Sequence, residues 1–441
     1  MTLPDLAAAL AASRGKPATA AAIASDAASA LGGEGGRFNT FISVAKAALP
    51  SEARRSDALL GCAFSVKDNI DEAGYPTTCG SRTLEDAPPA QKDAAVVAAL
   101  KAAGAISLGK NNMHEFALGI TGANDRYGHT VNPWDESRNV GGSSGGSASA
   151  VALRQVHLAL GTDSGGSVRM PASFTGIAGF KPTFGAVPLT GVAGAAWSLD
   201  SVGFFTATVA DLRTVWAALR PDDVGPRRSG SPRFAYLADD SMGRVEPVVW
   251  RHYSDTIGRL REAGVGLTPL SLNGFDLAPY LCIATVYPEV TSAHHELLRE
   301  KPSLYDQAIR GLICLGEAWS ERIYVDAQRL RSVLRDRFAA LLSPFDAVLM
   351  PTVPVQPPTR NVPAQVTGDP EGGGLFTAIR FTVVSNVTGY PAVSVPAGLD
   401  GDGLPAGLQM VGRPQEDAAL LADAAAVEAI LGPTPAPPGV A

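Results

Sequence analysis

Gly-Gly-Ser-Ser-Gly-Gly-Ser at residues 141–147 and Gly-Thr-Asp-Ser-Gly-Gly-Ser-Val-Arg-Met-Pro-Ala at residues 161–172 are the two stretches that decide the reading of this chain. A flexible linker is one meaning of such Gly/Ser clusters. Their flanks argue otherwise: Ala148 to Leu160 is apolar and helix-like, and Phe174 to Pro182 has an ordered pattern. A phosphate-cradling loop would end in G-K-[ST], and the nearest lysine, Lys181, is far from both clusters. Nucleophilic catalysis remains. Gly141 to Gly145 matches the G-x-S-x-G elbow, whose base is a downstream histidine. The histidines that follow are His157, His252, His294 and His295, and the last 146 residues hold none. Ser107 to Lys110 fits S-x-x-K, but the S-D-N and K-T-G companions are missing. A buried lysine is an alternative base, because desolvation penalises the ammonium form. Lys67, at the end of the apolar run Ala63-Phe64-Ser65-Val66, is a candidate.

Outward from these clusters the pattern is that of an α/β protein. Strand-like runs (Ala63 to Val66, Ala105 to Leu108) alternate with a helical pattern at Ala94 to Ala103. Upstream, Asp5 to Ser13 and Thr19 to Leu31 read as Ala-rich helices, broken by Gly15 and Pro17 and closed by a turn at Gly32-Gly33-Glu34-Gly35-Gly36. Downstream, Pro221 to Arg233 and Pro354 to Gly374 read as loops, and Glu246 to Ala263 and Pro302 to Leu342 as helices. Strand patterns return at Ala347 to Met350 and Ala392 to Val395, before a helix over Glu416 to Leu431 and a loose Pro-rich tail. The expected organisation is one domain over residues 1–441. It divides into N-terminal helices to about 50, a core at about 60–215, a variable helical region at about 221–345, and C-terminal strands and helix at about 346–432, with the tail at 433–441.

Composition narrows the partners. Gly and Pro make 80 of 441 residues, below the ~25–30% of low-complexity chains. Charged residues are only 18% and the net charge is −7, with basic runs no longer than Arg54-Arg55 and Arg227-Arg228. The electrostatic footprint of a nucleic-acid binder is absent. The start of the chain lacks the basic-then-apolar order of a secretory signal, and the apolar run Ala94 to Ile106 is interrupted by Lys101. A soluble, cytoplasmic protein with no membrane partner is expected. Cys62, Cys79, Cys282 and Cys314 form no C-x-x-C pair, so free buried thiols are expected, without disulfides or zinc. His114-Glu115 lacks the second histidine of a zinc helix, since Leu118 stands in its place. No metal and no cofactor are expected, and His114 reads as a pocket-wall or packed residue.

Taken together, V-K-D-N (66–69), N-M-H-E-F (112–116), the two Gly/Ser segments and G-F-K-P-T-F-G (179–185) resemble the amidase signature family of serine hydrolases. T-G-Y-P-A-V-S-V-P (388–396) and G-L-P-A-G-L-Q-M-V-G-R-P (403–414) resemble its closing strands. Only residues 221–345 carry no matching motif. The resemblance implies an α/β fold with a large mixed central sheet covered by helices on both faces. It also implies a Ser-cisSer-Lys triad of Ser167 as nucleophile, Ser143 as bridging serine after a cis Gly142–Ser143 bond, and Lys67 as base. The spacing of 24 positions from Ser143 to Ser167 matches that of the family. Backbone N–H groups of Ser164, Gly165, Gly166 and Ser167 are then the expected oxyanion hole.

Asn112 and Asp163 are expected to support the triad, by bonding to it or by holding the structure around it. Arg169 is expected to orient the oxyanion loop rather than to bind a substrate carboxylate. The implied reaction is hydrolysis of a small carboxylic amide through an acyl-enzyme. N-M-H-E-F-A-L-G-I-T with S-V-R-M-P-A looks closest to indole-3-acetamide hydrolases and arylacetamide amidases, which makes Phe116, Leu118, Ile120 and Trp197 candidate pocket wall. Two alternatives stay open. One is the A subunit of a tRNA-dependent amidotransferase, against which His114 replaces an expected Asp and Met170 an expected Gln. The other is a biuret-, allophanate- or carbamate-type hydrolase. The intact triad argues against a non-catalytic member, and the charge-poor surface favours a homodimer.

Overall fold

Eleven strands of the described residues join in one mixed sheet. They are β1 (Phe41–Val44), β2 (Ala63–Lys67), β3 (Ile106–Asn111), β4 (Leu158–Asp163), β5 (Ala178–Lys181), β6 (Ser201–Thr206), β7 (Phe234–Leu237), β8 (Leu267–Leu270), β9 (Ala347–Pro351), β10 (Ala392–Leu399) and β11 (Pro405–Gly412). Their spatial order is β1-β3-β2-β4-β6-β5-β10-β11-β9-β7-β8. The computed structural model describes residues 3–34, 36–45, 49–51, 54–225, 230–360 and 374–440.

Two blocks of parallel strands flank an antiparallel centre. β2 pairs parallel with both β3 and β4, and β7 with both β8 and β9. Parallel neighbours need a crossover, here the helix Ala95–Ala102 between β2 and β3 and Gly145–Ala152 before β4. The antiparallel β10–β11 pair is a hairpin closed at Asp400 to Leu404. Both faces of the sheet are buried, and side-chain alternation sorts residues between them. In β9, Ala347 and Leu349 pack with the helices Val209–Leu219, Pro247–Glu262 and Asp417–Leu431, while Val348 and Met350 pack with Ala278–Glu300 and Glu321–Leu342. The sheet is therefore covered on both faces, as expected.

Local sequence explains the element ends. The Asp5 carboxylate accepts from Ala8 N at 2.7 Å and caps the helix Leu6–Ser13, and Gly15 at φ +65° turns the chain into Pro17–Glu34. That second helix buries Ala20, Ala24, Ala27 and Leu31 against β2 and β3, one helical face at spacings of three and four. It runs on past Leu31 to Glu34, so only the end of the expected turn is left, and its Gly35 lies outside the described residues. Residues 226–229 of the Pro221–Arg233 loop and 361–373 of the Pro354–Gly374 loop also lie outside them.

Three expectations change. Ala148 to Leu160 is not one helix: the helix ends at Ala152 and β4 begins at Leu158, because apolar residues alone do not separate a buried helix from a buried strand. Pro302 to Leu342 is split into Gln307–Leu315 and Glu321–Leu342, the latter starting after Ser320. The region 221–345 is not purely helical, since it contributes β7 and β8 to the sheet. The four cysteines are free, but Cys314 is exposed while the other three are buried. The tail takes neither helix nor strand, yet Thr434 Oγ1 accepts from Gly398 N at 3.2 Å.

Phe204 on β6 sits between Phe180, with ring centroids 6.5 Å apart, and Trp216, at 6.1 Å, and is almost completely buried. Phe204→Ala should cost about 3–5 kcal/mol, read from the shift of the urea denaturation midpoint.

Candidate active site

Because β2 and β4 run parallel, their carboxyl ends lie at the same edge of the sheet, where ligands bind in open α/β sheets. β2 ends at Lys67 and β4 at Asp163. The helix Gly145–Ala152 returns the chain to the start of β4, so its own start and the preceding serine loop stand at that same edge. Gly146 fits there because it lies against backbone: a Cβ would come within 2.6 Å of Thr40 O and 2.7 Å of Asn112 N. Ser147 Oγ donates to Leu160 O at 2.9 Å and Ser144 Oγ to Thr162 O at 3.3 Å, pinning the helix to β4.

Lys67 is fully buried. Its Nζ donates to Ser143 Oγ at 2.7 Å and to Thr162 Oγ1 at 2.8 Å, and Asn69 Nδ2 donates to the same threonine at 3.2 Å. Burial lowers the amine to about 7, against the pull of the Asp200 and Asp163 carboxylates. The Gly142–Ser143 bond is cis. Ser144 N donates to Ser167 O at 3.4 Å, which ties the two serine loops together. Ser167 lines the cavity beside Gly142, and among the described residues no hydrogen bond joins its hydroxyl to Ser143.

Asp163 sets the turn that carries Ser167. Its carboxylate accepts from Gly166 N at 2.8 Å and Val168 N at 3.1 Å, and from Arg169 Nη2 at 2.7 Å and Nε at 3.0 Å. Burial works to raise this carboxyl, and the Arg169 guanidinium with its hydrogen bonds outweighs it, leaving Asp163 well below the usual range. Arg169 spends its remaining donors on Thr382 O, Ser385 Oγ, Gln409 Oε1 and Asn386 Oδ1, each at 2.7 Å. Its donors are thus all engaged within the protein, with none left for a substrate carboxylate. On the other side of the loop Ser164 Oγ donates to Asp200, whose second oxygen accepts from Ala196 N at 3.0 Å, and Thr382 Oγ1 donates to Gly165 O at 2.7 Å.

The expected oxyanion set loses one member. The Gly166 N–H is committed to Asp163, because at φ +124° the turn points it back at the carboxylate. Asn112 also stands apart from Lys67 and the serines. Its Nδ2 donates to Gly128 O at 2.8 Å and Asn39 O at 3.2 Å, and its Oδ1 accepts from Met113 N, so it fastens the surrounding loops. Thr162, Asp200, Thr382, Asn386 and Gln409 were not anticipated. Gln409 lies inside the matched segment 403–414, where an amide amid apolar strand residues was the available signal. Asp200 carried no comparable signal.

A cavity of about 620 Å³ opens over Ser167, Gly142 and Gly165. Leu118 and Ile120 line it, with Met170, Ile283 and Ile379. Phe116 does not: it packs behind the wall against His294, with ring centroids 4.3 Å apart, and Tyr305. Trp197 is 70% exposed and outside the lining, although Ala195 two residues before it lines the cavity and its neighbour Ser198 is held by Glu289. The charged side chains on the wall are acidic, Glu115, Asp125 and Asp306, and no Lys or Arg lines it among the described residues. No group of three or more His, Cys, Asp or Glu suited to a metal occurs among them, and no helix there is long and apolar enough to cross a membrane.

The same mixed-sheet fold occurs in proteins of known family. The Amidase family model matches residues 37–421, and the chain belongs to this family, the amidase signature enzymes. The A subunit of the glutamyl-tRNA(Gln) amidotransferase of Anaeromyxobacter dehalogenans (strain 2CP-C) is 37% identical, covering 91% of each chain. Among solved structures, an amidase is 31% identical with TM-score 0.86 over 97% of this chain and 100% of its own. The A subunit of the Thermotoga maritima glutamyl-tRNA(Gln) amidotransferase is 28% identical with TM-score 0.82 over 98% and 97%. The chain is accordingly an enzyme of amidase type, acting on C–N amide bonds.

The buried Asp163–Arg169 pair makes a sharp prediction. Arg169→Leu leaves an unpaired buried carboxylate and should cost about 3–5 kcal/mol. Arg169→Lys should fail to restore the melting temperature, since one ammonium cannot replace the guanidinium fork.

Proposed function

We propose that this enzyme hydrolyses a carboxamide through an ester on Ser167, with Ser143 and Lys67 relaying the proton. The hydrogen bond from fully buried Lys67 to Ser143 is the observation that carries the reading. As the amide carbonyl docks, rotation of the Ser167 hydroxyl closes its hydrogen bond to Ser143. Ser167 Oγ adds to the carbonyl carbon, its proton passes to Ser143, and the Ser143 proton passes to neutral Lys67. The oxyanion accepts from the N–H groups of Gly165 and Ser167, with Ser164 N–H beside them, and these are the members of the expected set not held by Asp163. The C–N bond then breaks as the proton returns through Ser143 to the leaving nitrogen, releasing ammonia or an amine. Water attacks the ester by the same relay and releases the acid. Proton transfer of this kind contributes about 10²–10⁴ in rate.

Two substrate readings separate at the cavity wall. The amidotransferase relatives favour a polypeptide that acts on glutamine beside tRNA and a partner subunit, and they support this alternative better than a free-standing amidase. Under that reading the expectation of no nucleic-acid partner fails. The lining favours an uncharged, apolar acyl group, because it offers no Lys or Arg to pair the carboxylate of an amino-acid amide. Turnover of the isolated chain decides between them. A panel of glutamine, phenylacetamide, indoleacetamide, aliphatic amides, ureas and carbamates should show arylacetamides ahead of glutamine if the wall sets specificity. Glutamine turnover that appears only with added partner subunit would establish the other reading.

Ser167→Ala and Lys67→Ala should each lower kcat at least a thousandfold on any substrate found, without loss of fold by circular dichroism. A fluorophosphonate should label Ser167 by mass spectrometry; labelling at Ser143 would reverse the two roles. Because only the neutral amine acts as base, and Lys67 titrates at about 7, kcat/KM should fall as pH drops through about 7 and hold level above it. A maximum at acidic pH would contradict a lysine base.

A further inference from the structure

His114 has a ring in the cavity wall that the proposed reaction does not use. Its surroundings fix where the ring stands. His114 N donates to Ser143 O at 3.1 Å, and a Cβ on Gly142 would come within 3.0 Å of Gly119 O and Gly122 N, so residues 114–122 pack directly on the turn that carries Ser143. The imidazole lies over Gly119, where any side chain would collide with the ring.

Thr121 Oγ1 already accepts from Ala123 N at 3.2 Å, so its own hydrogen is available to His114 Nδ1, 3.4 Å away. When that hydrogen is given to Nδ1, the ring proton sits on Nε2. The side-chain hydrogen bond of His114 among the described residues is the one at Nδ1, which leaves Nε2 for a ligand in the cavity that the residue lines. Burial holds the imidazole down to about 4, so it stands there neutral.

We propose that His114 is a specificity-determining residue, whose Nε2–H donates to an uncharged acceptor carried by the substrate beside its carboxamide. The inference rests on the reading of this cavity as the acyl site. A neutral donor does not recruit an anion, and the acidic side chains of Glu115, Asp125 and Asp306 on the same wall repel one. The acceptor is therefore an ether or carbonyl oxygen or an aromatic nitrogen, on an otherwise apolar acyl group. An analogue lacking it leaves the donor unpaired and binds less well.

Phenoxyacetamide and 3-phenylpropanamide differ by one oxygen in place of a CH₂ and test this directly. Their affinities are measured by calorimetry with Ser167→Ala protein, where binding is read without turnover. The ether should bind about three- to tenfold more tightly. His114→Phe in that background should reduce the ratio to about one, whereas His114→Gln, which keeps an N–H at similar reach, should retain most of it. Thr121→Val frees the tautomer and should lower the ratio while leaving His114 in place. An unchanged ratio in His114→Phe, no preference with His114 present, or no binding of either amide would each overturn the proposal. Residual hydrolysis by Ser167→Ala would instead count against the nucleophile assignment, and the effect of His114→Phe on the ratio of KM values would still judge His114.

Discussion

The Asp163 carboxylate is the fixed point on which the site depends. Its Oδ1 accepts from Gly166 N and its Oδ2 from Val168 N, which shape the turn before and after Ser167. Each oxygen also accepts from Arg169, which reaches across to Thr382, Ser385, Asn386 and Gln409. Those partners come from the helix Val383–Thr388 with the residue before it, and from β11, more than 200 positions later in the chain. A buried charge is tolerated only when paired and saturated with hydrogen bonds. Here that requirement makes the C-terminal strands part of the serine loop.

The same network accounts for which backbone donors stay open. A carboxylate accepts several hydrogen bonds, and Asp163 takes Gly166 N–H out of the turn while Gly165 O is held by Thr382 Oγ1. With their neighbours fixed on both sides, the N–H groups of Gly165 and Ser167 are held in place, which is the property the proposed oxyanion site needs. Ser164, anchored to Asp200, ties this loop to the segment at Ala196.

Much of this was legible in the sequence, for physical reasons that differ by region. The loops at 141–147 and 161–172 need glycine where backbone approaches backbone, as at Gly146, or where φ is positive, as at Gly166, so composition marks them. Lys67 could be named as a candidate from its place at the end of an apolar run, and its assignment as base came only from the resemblance that V-K-D-N (66–69) helps to carry. Residues such as Asp200 and Thr162 could not be named, since an acid or a threonine gains its role from partners far away in sequence. Trp197 and Phe116 failed as pocket wall for a related reason. Hydrophobicity says that a side chain seeks burial, but not which side of a wall it takes, and Trp197 stays outside altogether. In the region 221–345, β7 is a short apolar run without repeated alternation and β8 carries Thr268 and Pro269 at its centre, so only their parallel pairing around the helix Pro247–Glu262 makes them strands.

Lys67 stands between opposing effects, and their balance explains why so few charges surround it. Burial favours the neutral amine, while Asp200 and Asp163 favour the ammonium. In a low-dielectric interior a single unpaired carboxylate would decide the matter, because Coulombic attraction grows as water is removed. Asp163 is neutralised by Arg169 at 2.7 Å, and burial raises Asp200 to about 6, so its own charge is held less firmly than that of a surface carboxylate. The amine therefore keeps a value near neutrality rather than that of a surface lysine. The Asp163–Arg169 pair thus has two effects at once: it shapes the turn that presents Ser167, and it limits the pull of Asp163 on the proton of Lys67.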